Sequence, residues 1–298
     1  IANEKIYDKK LFLHYGDLTD PLSVSSIIFS TKPSEIYNLA AQSHVKVSFE
    51  LPLYTSQVDA LGTLHILEAL KSYSEHFKPR FYQASTSELF GFNTTAPQTE
   101  DTAMMPASPY AAAKISAYWN SVIYRNSYDI FASNGILFNH ESPRRGGTFV
   151  TKKITDFVGT KKFHSSVLSL GNLDARRDWG HAMDYVRGMN LILQHSKADD
   201  FILATGNSIS VREFATLCFQ RINEDIVWEG IGLNEVGRLV KNGNIAIKVD
   251  PTYFRPSEVN FLQGDASKAA SVLGWHPKIS ITDMIDEMLG LVPLKSFL

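Results

Sequence analysis

The chain carries a single cysteine, Cys218, in 298 residues, so no intrachain disulfide can form and no multi-cysteine zinc site is available. The nine histidines include no HExxH pair, and no metal site is expected. No apolar run is as long as a membrane span, and Ile1 to Lys10 is mixed polar without a signal-peptide pattern. The expectation is a soluble, cytoplasmic protein that does not bind membranes. A basic excess is missing too: 29 Lys and Arg against 31 Asp and Glu give a net charge of -2. Neutralising the phosphates of a nucleic acid is therefore not its expected task, while single phosphorylated ligands remain open. There is no internal repeat and no low-complexity tract.

A 44% share of hydrophobic residues is enough to fill one large α/β domain, or a large domain with a smaller companion. From residue 11 short β-rich runs alternate with longer helical ones, the pattern of parallel strands joined by crossover helices. Strands are expected at Leu11–Tyr15, Glu35–Leu39, Arg80–Ser85 and Ile130–Leu137, and helices at Pro21–Ser30, Leu53–Lys71 and Pro109–Tyr128. Beyond Asn139 the alternation loosens, with strands at Val167–Leu170, Phe201–Ala204 and Ile245–Val249. Helices there are expected from about Thr148 and over His181–His195, Val211–Ile222, Ala266–Leu273 and Ile281–Leu289. The expected class is α/β, an open, doubly wound parallel sheet over residues 1–140, with 141–298 mainly a smaller α/β substrate-binding lobe interleaved with it.

Ser108-Pro109 is a good helix start, since serine caps free backbone donors and proline loses nothing in the first turn. Tyr110 and Lys114 then share one face, where the ammonium can draw the phenol below its usual pKa of about 10. Such a tyrosine can take the proton from a hydroxyl while hydride leaves the same carbon. Chance alone produces about 0.7 such pairs in a chain with 12 tyrosines, so the pair needs company. Thr86 supplies it, lying just past a β-rich run where doubly wound sheets bind ligands. Glu88 adds a second proton-transfer group on the same side if the loop stays extended. The small residues around Leu39, Ala40, Ala41, Gln42 and Ser43 let a flat ligand approach the backbone. Asp17 could accept from an adenine amine or cap the next helix. Phosphate-binding candidates are Arg144-Arg145, Lys152-Lys153, Arg176-Arg177 and Arg255, about half of which are expected to be solvated helix ends.

Four segments carry a resemblance: Tyr37 to Val45 (YNLAAQSHV), Gln83 to Gly91 (QASTSELFG), Asn134 to Arg145 (NGILFNHESPRR) and Arg177 to Ala182 (RDWGHA). With them the chain resembles the GDP-mannose 4,6-dehydratase family of the extended short-chain dehydrogenase/reductases from about Leu13 to Met288. The Thr-Ser-Glu order at 86–88 looks unlike the Asp-Glu pair of dTDP-glucose dehydratases, and epimerases typically lack this glutamate. The resemblance implies a Rossmann-like fold, NADP as cofactor, GDP-mannose as substrate and a homodimer or homotetramer. It further implies that Thr86 orients the substrate, Glu88 serves C5 and C6, Tyr110 is the base at O4, and Lys114 partners Tyr110 and the cofactor ribose. Cofactor positions implied are Asp17, Leu18, Leu39, Ala40, Ala41, Gln42, Ser43, Tyr54, Lys114, His140 and Arg145; substrate positions are Ser85, Asn139, Lys153, Arg177, Arg255 and Glu258. One departure is large: the family's opening strand, glycine-rich turn and helix have no counterpart, and no GxxGxxG occurs anywhere. The expectation is that the chain is incomplete at its amino end rather than unable to bind the cofactor.

Overall fold

A computed structural model describes residues 10–74 and 76–293, so of the polar opening Ile1–Lys10 only Lys10 lies within the described residues. In chain order the first elements are α1 (Pro21–Thr31), β1 (Glu35–Asn38), α2 (Val45–Glu50), α3 (Pro52–Ser56), α4 (Gly62–Tyr73), β2 (Arg80–Thr86), α5 (Pro109–Tyr128) and β3 (Ala132–Leu137). Next come β4 (Asn139–Glu141), α6 (Val150–Gly159), β5 (Leu168–Leu170), β6 (Arg176–His181), α7 (Ala182–Gln194), β7 (Phe201–Leu203) and β8 (Ser208–Ser210). The last are α8 (Val211–Arg221), β9 (Ile226–Glu229), β10 (Val236–Leu239), β11 (Ile245–Val249), α9 (Ser267–Leu273) and α10 (Ile281–Leu289).

Short polar caps start several of these helices. Asp20 accepts the Leu22 N–H at 3.0 Å ahead of Pro21, and Ser108 accepts the Ala111 N–H at 3.1 Å ahead of Pro109. Ser210 and Glu213 form a reciprocal capping box on α8.

The main sheet has the order β1-β2-β3-β7 with every pair parallel. Because neighbouring strand residues point to opposite faces, Phe81 packs with α1 and α4 while Tyr82 packs with α7 and Trp275. Helices thus cover both faces, as the Rossmann-like α/β class requires. After β3 the chain leaves this sheet at Phe138 and enters a smaller one of order β4-β6-β8. A further sheet, β5-β11-β10-β9, packs with α6, α8 and α10 around Ile154, Phe214, Phe219 and Ile247. Residues past 140 therefore divide between the layers, with α7 and β7 returning to the main sheet.

Two expected elements are corrected. Leu11–Tyr15 forms no strand: Phe12 to Tyr15 belong to no ladder, and Leu13 and Tyr15 are 61% and 101% exposed. Alternating apolar residues give a strand only where a neighbouring strand takes up the backbone hydrogen bonds. The single helix expected over Leu53–Lys71 is instead α3, a π-helical turn at Gln57–Leu61, and α4. There the Gly62 N–H reaches back to the Gln57 carbonyl, and the widened turn puts Val58 and Asp59 side by side in the interior. Sequence periodicity also missed the short strands β4, β6, β8, β9 and β10 and the short helix α2.

Asp200, one residue before β7, fastens that edge of the main sheet. Its carboxylate takes a bidentate pair from Arg125 at 2.9 and 2.8 Å, and also accepts from the Asn134 N–H and amide and the Tyr118 hydroxyl. Removing it leaves a mostly buried guanidinium unpaired. Asp200→Ala is expected to lose about 3–5 kcal/mol, read from urea unfolding monitored by tryptophan fluorescence.

Candidate active site

The carboxyl ends of β2 and β3 open onto a cavity of about 580 Å³. Ser85 and Thr86 end β2, and the chain then tightens into a 3-10 turn, Ser87–Leu89, with the Thr86 hydroxyl accepting the Glu88 N–H at 3.2 Å. The segment is therefore not extended, the condition on which the sequence put Glu88 on the same side as Thr86, yet Glu88 still faces the same cavity. Across it, the Ser108 cap starts α5 so that Tyr110 and Lys114 reach the cavity from successive turns. Both are nearly enclosed, at 8% and 3% exposure.

Burial dominates the proton affinities here. It pushes the Tyr110 phenol well above its ordinary value, opposed by a hydrogen bond with Thr86, reinforced by the Asp59 and Glu88 charges, and relieved by Arg145. Burial pulls the Lys114 ammonium down to about 8, opposed by the Asp59 carboxylate. Asp59 itself is raised to about 6 by burial, against the pull of Lys114 and of the Gln42 N–H.

Of the expected cofactor positions, Leu39, Ala41, Ser43, Lys114, His140 and Arg145 line the cavity. Asp17, Leu18, Ala40, Gln42 and Tyr54 are not on its wall. The Asp17 carboxylate accepts from the Thr19 N–H and hydroxyl, and Asp20, not Asp17, caps α1. Leu18 packs under Gly62, and its carbonyl meets His65 Nδ1 at 2.7 Å. Gln42 braces its own loop: its N–H donates to Asp59 at 2.7 Å and its side chain bridges His44 and Thr55. Tyr54 is half exposed on α3.

All six expected substrate positions, Ser85, Asn139, Lys153, Arg177, Arg255 and Glu258, line the cavity. Arg255 pairs with Glu88 at 3.3 Å, and Arg177 with Glu258 at 3.5 Å. Lys153 sits 4.4 Å over the Tyr253 ring. The basic doublets split cleanly, because Arg145 and Lys153 face the cavity whereas Arg144 is exposed, Lys152 pairs with Asp156 and Arg176 pairs with Glu213. Sequence reasoning missed His44, Lys46, Glu141 and Tyr253 on the wall, and Asp59 behind it. Asp59 had a signal, a carboxylate in the midst of the apolar positions Val58, Leu61 and Leu64.

The donor set suits a polar ligand with anionic groups. Ser85 Oγ, His44 Nδ1 and Glu88 Oε2 are buried without a hydrogen-bond partner, each costing about 1–3 kcal/mol unless a ligand meets it. Lys46, Arg145, Lys153, Arg177 and Arg255 bring cationic charge to the lining of the cavity. Among the described residues no group of three or more His, Cys, Asp or Glu is placed to hold a metal ion.

Solved structures share the fold. RMD from Pseudomonas aeruginosa, complexed with NADPH, superposes with a TM-score of 0.77 at 23% identity, over 93% of this chain and 87% of that one. DesIV, a dTDP-glucose 4,6-dehydratase from Streptomyces venezuelae solved with NAD and TYD, gives 0.77 at 21% identity, over 95% and 80%. Fold and cavity together define a Rossmann-like α/β protein with a Tyr/Lys pair at the carboxyl ends of its strands. More specifically, the family model described as GDP-mannose 4,6 dehydratase matches residues 1–288. GDP-mannose 4,6 dehydratases from Drosophila melanogaster and Homo sapiens are 51% and 53% identical, over 94% and 93% of this chain and 71% and 75% of theirs. The enzyme of that name from Sinorhizobium fredii is 52% identical over 95% of this chain and 81% of its own. The chain belongs to this family.

His140 gives a pH test of the wall. Burial, helped by the Arg145 charge and opposed by the Phe138 carbonyl, holds it down to about 4. An unfolded histidine takes up its proton near pH 6.5, so stability contributed by neutral His140 is lost as pH falls from there towards 4. Between about pH 7.5 and about pH 5 the wild type is expected to lose about 2 kcal/mol more than His140→Asn, measured by denaturant titration at each pH.

Proposed function

We propose that the chain is an NADP-dependent GDP-mannose 4,6-dehydratase, a carbon–oxygen lyase forming GDP-4-dehydro-6-deoxy-D-mannose and water from GDP-α-D-mannose. The observation that carries this reading is Glu88 facing the same cavity as Thr86, Tyr110 and Lys114, with one carboxylate oxygen unpartnered. A simple alcohol oxidoreductase needs the tyrosine and the lysine; a carboxylate facing the adjoining carbons gives elimination its own proton acceptor. Matching names at about half identity across most of the chain, and an NADPH complex of the same fold, support substrate and cofactor.

The cofactor supplies hydride acceptance and return. Thr86 holds the 4-hydroxyl against Tyr110, whose phenolate, favoured by the Thr86 hydrogen bond and the Arg145 charge rather than by Lys114 as expected from sequence, takes the O4 proton. Oxidation at C4 acidifies the C5 proton. Glu88 removes that proton and passes it to the departing C6 hydroxyl, which leaves as water; hydride returned to C6 and a solvent-exchanged proton returned to C5 would then close the cycle with no net redox change. Leu39, Ala41, Ser43, His140 and Arg145 would hold the cofactor, with Asp17, Leu18, Ala40, Gln42 and Tyr54 supporting it from outside the wall. Asn139, Lys153, Arg177, Arg255 and Glu258, with Ser85, would hold the GDP-sugar. A cytoplasmic setting fits Cys218, buried and reduced in the smaller lobe. No helix among the described residues is long and apolar enough to cross a membrane.

Glu88→Gln keeps shape but cannot accept the C5 proton, whereas Tyr110→Phe removes the base at O4. In heavy water the wild type should place deuterium at C5. Glu88→Gln should accumulate reduced cofactor with at least about 10²-fold less 6-deoxy product, and Tyr110→Phe should form no reduced cofactor in a single turnover. Normal dehydration by Glu88→Gln overturns the reading, and inversion without loss of water points to an epimerase.

Assembly as a homodimer or homotetramer completes the proposal. Leu53, Leu61, Trp119 and Ile123 on α3, the π turn and α5 are 48–80% exposed, a supply of apolar surface that a second copy would cover. Trp119→Glu is expected to reduce the mass seen by light scattering to that of one chain, while leaving the circular dichroism spectrum unchanged.

A further inference from the structure

The π-helical turn between α3 and α4 carries a carboxylate that the reaction above does not use. Asp59 is 1% exposed, its Oδ1 accepts the Gln42 N–H at 2.7 Å, and its Oδ2 has no hydrogen-bond partner. The turn packs on α5, the helix that bears Tyr110 and Lys114. A single backbone hydrogen bond could be met by an uncharged side chain, and an unpaired buried carboxylate costs several kcal/mol. The cation acting on it, without a direct ion pair, is Lys114, itself 3% exposed on the facing helix α5.

We propose that Asp59 is a positioning residue, the counter-charge that keeps the Lys114 ammonium protonated, and that through the Gln42 N–H it ties the 39–43 loop to that same charge.

The geometry around the turn supports this. The widened helical turn sets Val58 and Asp59 inward together, at 8% and 1% exposure. A buried polar chain holds the turn to the main sheet: the Thr63 hydroxyl meets the Asp59 carbonyl at 3.0 Å, and Asn38, Gln83 and Thr63 are joined at 2.9–3.2 Å. β1 and β2 thereby fix the height of Asp59 relative to α5. Charges facing the group are few. Asp59 is the charged group acting on Lys114, while Tyr110 on the same helix feels Asp59, Glu88 and Arg145. Neutralising Asp59 therefore removes the support for a charged Lys114 and leaves burial to oppose it. The catalytic significance rests on the dehydratase reading; the charge coupling does not.

The first test uses the ligand-free protein, with no turnover. Competitive labelling with acetic anhydride across a pH series, read at the Lys114 peptide by mass spectrometry, gives the pH at which that amine becomes reactive. Asp59→Asn should lower this midpoint by about one unit or more, whereas a surface lysine such as Lys78 serves as an unchanged control. An unmoved Lys114 midpoint overturns the proposal even if the wild type proves to be a dehydratase. Failure of the wild type to dehydrate GDP-mannose overturns the functional reading while leaving the labelling result intact. In turnover, Asp59→Asn keeps an acceptor for Gln42 and should lower kcat at least tenfold with NADP affinity nearly unchanged, while Asp59→Ala should also weaken NADP binding. Equal NADP affinity in all three proteins overturns the tie to the loop. Should Asp59→Asn not fold, the coupling is read from the other side: in Lys114→Met the Asp59 carboxyl, followed by carbon-13 NMR, should titrate at higher pH than in the wild type. An identical titration overturns the proposal.

Discussion

Parallel pairing of β2 with β3 is the constraint from which the site follows. Their register, Phe81 with Ala132 through Thr86 with Leu137, brings both carboxyl ends to the same edge of the sheet. A parallel strand can be joined to its neighbour only by a crossover, so the connecting helix returns along one face. Once the 3-10 turn and the following loop have brought the chain to Ser108, α5 begins with Tyr110 facing the edge that β2 has just left. The groups that meet in the cavity therefore come from the loop after β1, α2, β2 and its 3-10 turn, α5, β4 and the later lobe, and no single segment contains them.

Collecting these groups means burying charge, and it is compensated in pairs. Glu88 lies against Arg255, Arg177 against Glu258, and Arg145 lies 3.1 Å from Glu141 while its guanidinium stacks on Phe149. Such pairs add little net stability, because desolvation cancels much of the attraction, but losing one member leaves the other uncompensated. The wall thus holds its shape while a few of its polar atoms stay without partners. Ser85 Oγ and His44 Nδ1 are available to a ligand for that reason.

Much of this was legible in the sequence, and what was lost has a physical cause. The α5 boundaries, Pro109–Tyr128, follow from Ser108-Pro109 at one end and from Asp129, in the left-handed region at φ 53°, at the other. Local chemistry alone sets them. Strands β4, β6 and β8 escaped because they are three to six residues long and mix polar with apolar positions, so no period of two stands out. The supposed strand at Leu11–Tyr15 failed for the opposite reason, since its composition suits a strand but pairing is a property of the neighbour. Basic doublets could not be resolved from sequence because the residue that faces the cavity, Lys153 rather than Lys152 or Arg177 rather than Arg176, depends on how α6 and β6 are rotated against the later lobe. The π turn was hidden by the even spacing of Val58, Leu61, Leu64 and Leu67, which a regular helix would also show.

Tyr110 lies between two carboxylates of different standing. Both raise its proton affinity, and both are balanced by a cation, Glu88 by Arg255 and Asp59 by Lys114. Exposure to the cavity separates them. Glu88 is on the wall with one oxygen unpartnered, where the proposed reaction uses it; Asp59 lies behind the wall, with one oxygen committed to Gln42. Two carboxyl groups in unlike surroundings can take unlike tasks, which is how one fold carries out both proton transfer and charge support at a single pH. In the proposed reaction, exchanging the two environments would leave the elimination without its base on the wall and Lys114 without its counter-charge. The proposed reaction thus asks for a carboxylate in the turn after β2 and another in the widened turn before α4, each with its own task.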